Sequence, residues 1–215
     1  MMSMKPTKTG QIENSDIYAV NNGINSVFFV KANDGYIMVD GGGNMGKIEK
    51  AMSIENIDPS KVTAILLTHS DSDHMASLPL FHNAPLYMSE DEMQMVDGTT
   101  KRNLTSYNSF PKEFKKDKLV LVKDSEELNL GGKKVECIKF PGHTPGSMAY
   151  IVDGKYFFSG DAFAVKNNTI KIHPFTMNDS KAKESIDALK EVIQKTDVVI
   201  TAHYGYYRSD DLLFD

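Results

Sequence analysis

The chain has 215 residues, 40% of them hydrophobic and 25% charged, a size that suits one α/β domain over 1–215 and leaves little room for a second. A formal net charge of -5 gives no electrostatic footing for nucleic acid as a general partner. The single cysteine, Cys137, excludes an internal disulfide, and no apolar run forms a secretory leader or approaches membrane-spanning length, so a soluble cytoplasmic protein with no membrane partner is expected.

After a polar N-terminal stretch, residues 17–20, 24–32 and 36–40 are short runs rich in β-branched and aromatic side chains and read as strands. Gly41-Gly42-Gly43 is a turn, and Asn44 beyond it can cap a helix in which Met45, Ile48, Met52 and Ile54 recur at roughly helical spacing. The same glycines, as Gly41-x-Gly43-x-x-Gly46, match a dinucleotide fingerprint on paper. Asp40 before the turn argues against it, because it would set a carboxylate beside a pyrophosphate. Residues 62–68 are a continuous apolar run and read as a buried strand ending in His69. Asp73-His74 then opens a short helix running to about Phe81. Residues 85–88 are strand-like and 90–96 a short helix. Residues 97–118 are a basic loop carrying Lys101, Arg102, Lys112, Lys115, Lys116 and Lys118. A solvated loop is the plain reading of it, and a lid meeting an anionic substrate the functional one. Strands return at 119–122, 133–140, 147–152 and 155–159. The clearest helix is 181–196, with Ala182, Ile186, Leu189 and Ile193 on one face behind an Asn178/Asp179/Ser180 cap. Residues 198–201 close the pattern as a strand running into His203. Runs of strands, each half ending in helices, suggest two sheets covered outside by helices.

His69, Asp71, Asp73 and His74 lie within six residues at the end of a buried strand. Unpaired charge is costly there, and a divalent cation would hold such groups together, imidazole suiting zinc or iron and carboxylate adding harder oxygen ligands. Alternation along an extended segment puts His69, Asp71 and Asp73 on one side, while His74 turns with the helix. His143 in Pro141-Gly142-His143-Thr144-Pro145-Gly146, Asp161 in Ser159-Gly160-Asp161 and His203 in Thr201-Ala202-His203 each stand at a strand end or in a loop between strands. The remaining histidines, His82 and His173, have bland neighbours and read as surface or core residues. Cys137 reads as a small buried residue. Tyr204, Tyr206 and Tyr207 after His203 read either as a hydrogen-bond donor to the site or as an aromatic packing cluster.

In order and context these motifs resemble the metallo-β-lactamase superfamily over nearly the whole chain. The resemblance implies a four-layer αββα sandwich with its site at one edge. It implies two divalent metal ions, one held by His69, Asp71 and His143, the other by Asp73, His74 and His203, with Asp161 bridging and Asp40 supporting the cluster from behind. The implied activity is hydrolysis of a small-molecule ester, thioester, lactone or phosphodiester by a metal-bridging hydroxide, with Asp73 orienting the water or passing its proton to the leaving group. Position 71 is the departure, an aspartate where most relatives have histidine. An added carboxylate leans the first site toward iron or manganese as alternatives to zinc and resembles the flavodiiron branch. The alternative activity is therefore di-iron reduction of oxygen or nitric oxide, fed by a separate flavoprotein partner. Oligomeric state is not legible.

Overall fold

In the computed structural model, which describes residues 3–12, 14–102 and 108–214, the N-terminal half forms a seven-stranded sheet. Its strands are β1 (Gly10–Gln11), β2 (Ile17–Asn21), β3 (Ser26–Ala32), β4 (Gly35–Val39), β5 (Val62–Leu66), β6 (Leu86–Ser89) and β7 (Leu119–Val122), in that spatial order. The first four pair antiparallel through short turns. From β4 to β7 the pairing is parallel, which requires crossovers. Those crossovers carry α1 (Met45–Ile54), α2 (Ser72–Met75) and α3 (Met93–Val96). Asn44 caps α1 by accepting from the Lys47 amide at 3.1 Å, and the helix buries Ile48, Ala51 and Met52 while Ile54 stays exposed. The helix expected to run from Asp73 to Phe81 is broken instead. α2 ends at Met75, and Leu78–Phe81 is a separate 3-10 turn because Pro79 has no amide hydrogen to continue an α-helix.

The second half supplies β8 (Glu127–Leu130), β9 (Lys133–Lys139), β10 (Met148–Val152), β11 (Tyr156–Gly160), β12 (Ala164–Lys166), β13 (Thr169–Lys171), α4 (Asp179–Gln194), β14 (Val198–Thr201), β15 (Tyr206–Arg208) and β16 (Leu213–Phe214). Six of these strands form a sheet in the order β15-β14-β11-β10-β9-β8, while β12, β13 and β16 make a small third sheet. Strand periodicity distributes the apolar side chains to two faces. Phe28, Val30, Ile37 and Val39 from the first sheet meet Val135, Cys137, Tyr150 and Phe158 from the second in a shared core. Alternate residues Phe29, Met38 and Ile65 face outward onto Ile48 and Met52 of α1. Ile151, Phe157 and Val199 likewise face Ile186 and Ile193 of α4. The layers are therefore α, β, β, α, as the sequence implied. Each fully buried aromatic or branched side chain in them is worth about 1.5–3 kcal/mol over its exposed state.

The two sheets are joined by backbone hydrogen bonds, Met148 N to Thr68 O at 2.9 Å and Ser26 N to Ala202 O at 2.8 Å. Gly160 packs closely at this seam: a Cβ there would stand 2.4 Å from Thr68 Oγ1, and its φ of +53° suits glycine. Asp40, His69, Asp161 and His203 follow β4, β5, β11 and β14, so the ends of parallel strands from both sheets gather them beside this seam. Among the described residues no helix is long and apolar enough to cross a membrane.

Candidate metal centre

Five side chains at the seam are almost wholly buried: His69, His74, His143, Asp161 and His203. Asp161 lies among the four imidazoles. Its Oδ2 is 3.8 Å from His69 Nε2, 3.6 Å from His143 Nε2 and 3.1 Å from His203 Nε2, and its Oδ1 is 3.6 Å from His74 Nε2. Asp71 Oδ2 stands 3.4 Å from His69 Nε2 and 3.1 Å from His143 Nε2. Asp73 Oδ2 stands 3.7 Å from His74 Nε2 and 3.4 Å from His203 Nε2. Edges of this length are those of a polyhedron whose corners sit about 2.0–2.2 Å from a common cation. All seven residues expected to ligate are thus brought together. The donor set fits a metal on chemical grounds too, because His69 Nε2, His74 Nε2 and Asp161 Oδ1 are buried with no hydrogen-bond partner among the described residues.

The far side of each ring explains which nitrogen faces inward. His74 Nδ1 donates to Asp40 Oδ2 at 2.8 Å and His203 Nδ1 donates to the Ile24 carbonyl at 2.7 Å, so each ring turns its Nε2 toward the cluster, where a bound cation would take its lone pair. His69 Nδ1 reaches Thr68 Oγ1 at 3.0 Å, and that hydroxyl passes its own hydrogen to Asp40. Asp40 also accepts from the Thr68 amide at 2.8 Å. It does this with a backbone φ of 61°, a left-handed conformation few residues other than glycine adopt, set where the chain turns into Gly41. Asp40 therefore sits behind the cluster, as expected. Burial opposes ionisation of Asp161, but His74 and His203 outweigh it and hold the carboxyl well below the usual range.

Four residues here escaped sequence reasoning. His173, read as bland, is buried in the wall of the site, its Nε2 3.6 Å from Asp161 Oδ2 and its ring 4.8 Å from that of His143. Burial pushes its pKa down to about 3, against the opposing pull of Asp161. No neighbouring motif marks it, and its position after the β12–β13 hairpin appears only in three dimensions. Arg102, from the basic loop, grips Asp71 with Nε and Nη2, sets Nη2 2.9 Å from His143 Nε2, and is anchored by the Phe175 carbonyl at 2.8 Å. Asn108 donates to Asp71 Oδ1 at 2.9 Å and to Ser70 Oγ at 3.0 Å. Residues 103–107 of the proposed lid lie outside the described residues. Glu92 is the fourth: fully buried, it accepts from the Ser70 amide and hydroxyl on one side and from Thr144 Oγ1 and the Gly146 amide on the other. It thereby ties the His69 loop to the His143 loop.

His82 is exposed and neither joins this cluster nor lines its cleft, in keeping with its bland reading. Tyr204 packs its ring against His173 and His203, Tyr207 donates to the Tyr204 carbonyl, and Tyr206 stays exposed, so the trio is chiefly a packing cluster. The cluster of histidines and aspartates opens into a cleft of about 570 Å³, with Asp71, Asp73, Arg102, His173 and Thr176 in its walls.

A four-layer sandwich carrying buried histidines and aspartates at the edge where its sheets meet is the architecture of a metal-dependent hydrolase. Residues 20–203 match the family model described as metallo-beta-lactamase superfamily, and the chain belongs to that superfamily. It is 31% identical to the probable metallo-hydrolase MJ0296 of Methanocaldococcus jannaschii, over 77% of this chain and 68% of that one. It is 24% identical to the probable polyketide biosynthesis zinc-dependent hydrolase PksB of Bacillus subtilis, over 79% of this chain and 66% of that one. Four curated relatives that it matches are spanned over 61% to 68% of their own lengths. Among solved structures, the crystal structure of MEM-A1, a subclass B3 metallo-beta-lactamase from a soil metagenome library, superposes with a TM-score of 0.71. That match has 19% identity and covers 92% of this chain and 80% of that one.

Proposed function

We propose that the protein is a dinuclear hydrolase of a small-molecule ester, thioester, lactone or phosphodiester. In this reading His69, Asp71 and His143 hold one divalent cation, Asp73, His74 and His203 hold the other, and Asp161 bridges them. The observation that carries it is the convergence of four imidazole Nε2 atoms on the two oxygens of one buried carboxylate, within 3.1–3.8 Å. Bound cations would supply Lewis acidity and a water acidic enough to serve as nucleophile near neutral pH. Zinc is the first choice, since a relative's name specifies it.

The chain's own residues do the rest. Asp40 fixes the ring of His74 directly and that of His69 through Thr68, so both Nε2 lone pairs stay aimed inward. Asp73 is the ligand carboxylate with the most contact with solvent, its side chain 27% exposed, and it faces the cleft. That placement suits it to orient water and to pass a proton to the leaving group. Arg102 neutralises Asp71. It is therefore a competing cation for that carboxylate, and the Asp71 side should load after the Asp73 side. The test joins elemental analysis of protein loaded with zinc, iron or manganese to a panel of ester, thioester, lactone and phosphodiester substrates. Two metals per chain and turnover of one panel class are expected. Less than about half a metal per chain after loading would end the proposal, since such donor sets bind these ions strongly.

A further inference from the structure

Four imidazoles face Asp161 through Nε2, and the three whose Nδ1 has a partner share one polarity: Nδ1 gives its hydrogen away behind the ring. His173 is wired in reverse. The Phe175 backbone N–H donates to its Nδ1 at 3.4 Å, so Nδ1 is the acceptor and the ring hydrogen resides on Nε2. That Nε2 is buried and has no hydrogen-bond partner among the described residues. Asp161 Oδ2, at 3.6 Å, is beyond hydrogen-bonding distance. The ring cannot turn away, because it is held edge-to-face against His143 at 4.8 Å and against Tyr204 at 5.7 Å. A clamped, buried N–H without an acceptor carries an uncompensated desolvation cost. It lines the cleft beside Thr176, whose Oγ1 is likewise buried and unpartnered among the described residues.

We propose that His173 is a catalytic hydrogen-bond donor, its Nε2–H aimed at an acceptor oxygen of the ligand in the cleft, with the Thr176 hydroxyl as the second donor to that oxygen. The ligand is of the carboxylate or acyl class: a carbonyl oxygen that gains negative charge as the acyl group is attacked, or an oxygen of the carboxylate product. A neutral imidazole suits this task, since it donates without adding a third fixed positive charge to a site built for cations. Hydrogen bonds preorganised toward developing charge are among the larger contributions to catalysis, one donor commonly being worth 10²–10³ in kcat. The identity of the oxygen rests on the hydrolase reading above. The presence of the donor does not.

Long-range ¹H–¹⁵N spectra of zinc-loaded, histidine-labelled protein read the tautomer directly, and are expected to show His173 protonated at Nε2 with Nδ1 as acceptor. Acetate binding is then followed by the visible spectrum of the cobalt-loaded protein in wild type, His173→Phe and His173→Gln. Acetate affinity is expected to fall about tenfold in His173→Phe, with cobalt content unchanged, and to recover in part in His173→Gln, whose amide restores a donor. On any turned-over substrate His173→Phe should lower kcat with little change in KM. An unprotonated or metal-bound Nε2, loss of cobalt in the Phe variant, or unchanged acetate affinity would each overturn the proposal. If no panel substrate is turned over, the hydrolase reading fails alone, because the tautomer and acetate measurements still decide on His173.

Discussion

Glu92→Ala tests whether the two ligand loops are truly held by one carboxylate. Its Oε1 accepts from Ser70 N at 2.8 Å and Ser70 Oγ at 2.6 Å, and its Oε2 from Thr144 Oγ1 at 2.7 Å and Gly146 N at 3.2 Å. After truncation the hydroxyls have other neighbours, Asn108 beside Ser70 and Ser147 beside Thr144. The two backbone N–H groups cannot move. Two orphaned buried donors at about 1–3 kcal/mol each, with about 0.8 kcal/mol for the one lost methylene, give a destabilisation of about 3–7 kcal/mol. Glu92→Gln keeps one acceptor for Ser70 but sets an amide N–H against that of Gly146, so one donor is orphaned and the loss is about 1–3 kcal/mol. Urea denaturation of the metal-free protein, analysed at a common m-value, measures both. The zinc-loaded difference should be larger for Glu92→Ala, because Ser70 and Thr144 adjoin His69 and His143. Equal midpoints for the two variants, or a loss below about 1 kcal/mol for Glu92→Ala, would refute the reasoning.

Asp161→Ala should lose most bound metal while His82→Ala keeps it, and elemental analysis showing equal contents would exclude Asp161 as the bridge. Arg102→Met removes the cation competing for Asp71, so calorimetric titration should show the second equivalent of zinc binding at least several-fold more tightly. An unchanged second affinity would mean that Arg102 does not compete. Asp71→His exchanges a hard anionic donor for imidazole and should raise the zinc-to-iron ratio on loading from an equimolar mixture, the fold being checked by circular dichroism. A constant ratio would place Asp71 outside the ligand set. Burial, with Glu126 adding to it, pushes the Cys137 thiol up to about 12 from an ordinary 9.0. The unfolded chain then loses this proton first as pH rises, so Cys137 lowers stability between about pH 9 and 12, by up to about 1.4 kcal/mol per pH unit. Cys137→Ala should flatten the pH dependence of the urea midpoint over that range, and an identical slope in the variant would show the thiol to be uninvolved.

What the sequence disclosed followed physical regularity. Strands β2 to β6 announce themselves as runs of apolar, β-branched and aromatic side chains, and α4 because one helical period governs both its pattern and its burial. The seven residues proposed as ligands announce themselves because carboxylates and imidazoles at apolar strand ends demand a reason. The short strands β8, β12, β13, β15 and β16 went unseen, being two to four residues long and bordered by polar turns. With β12 and β13 missed, nothing indicated that the chain returns His173 to the site. Glu92 was hidden for a related reason. Among Glu90, Asp91 and Glu92 all three look like solvated acids, and only the packing of Gly146 against the backbone of residues 91 and 92 turns the third inward. Arg102 looked like one base among several in a polar loop, and its pairing with the departure at position 71 joins positions 31 apart.

The seam between the sheets gives the cations a mechanical meaning. His69, Asp71, Asp73 and His74 belong to one sheet's loops and His143, Asp161 and His203 to the other's, so a bound ion is a clasp across the sandwich. Pulling the halves apart requires releasing it. At a hundredfold excess over its dissociation constant, each independently bound ion deepens the folded state by about 2.7 kcal/mol. Chelation would then loosen the whole sandwich, and the lifetime of the chain would follow the metal supply around it.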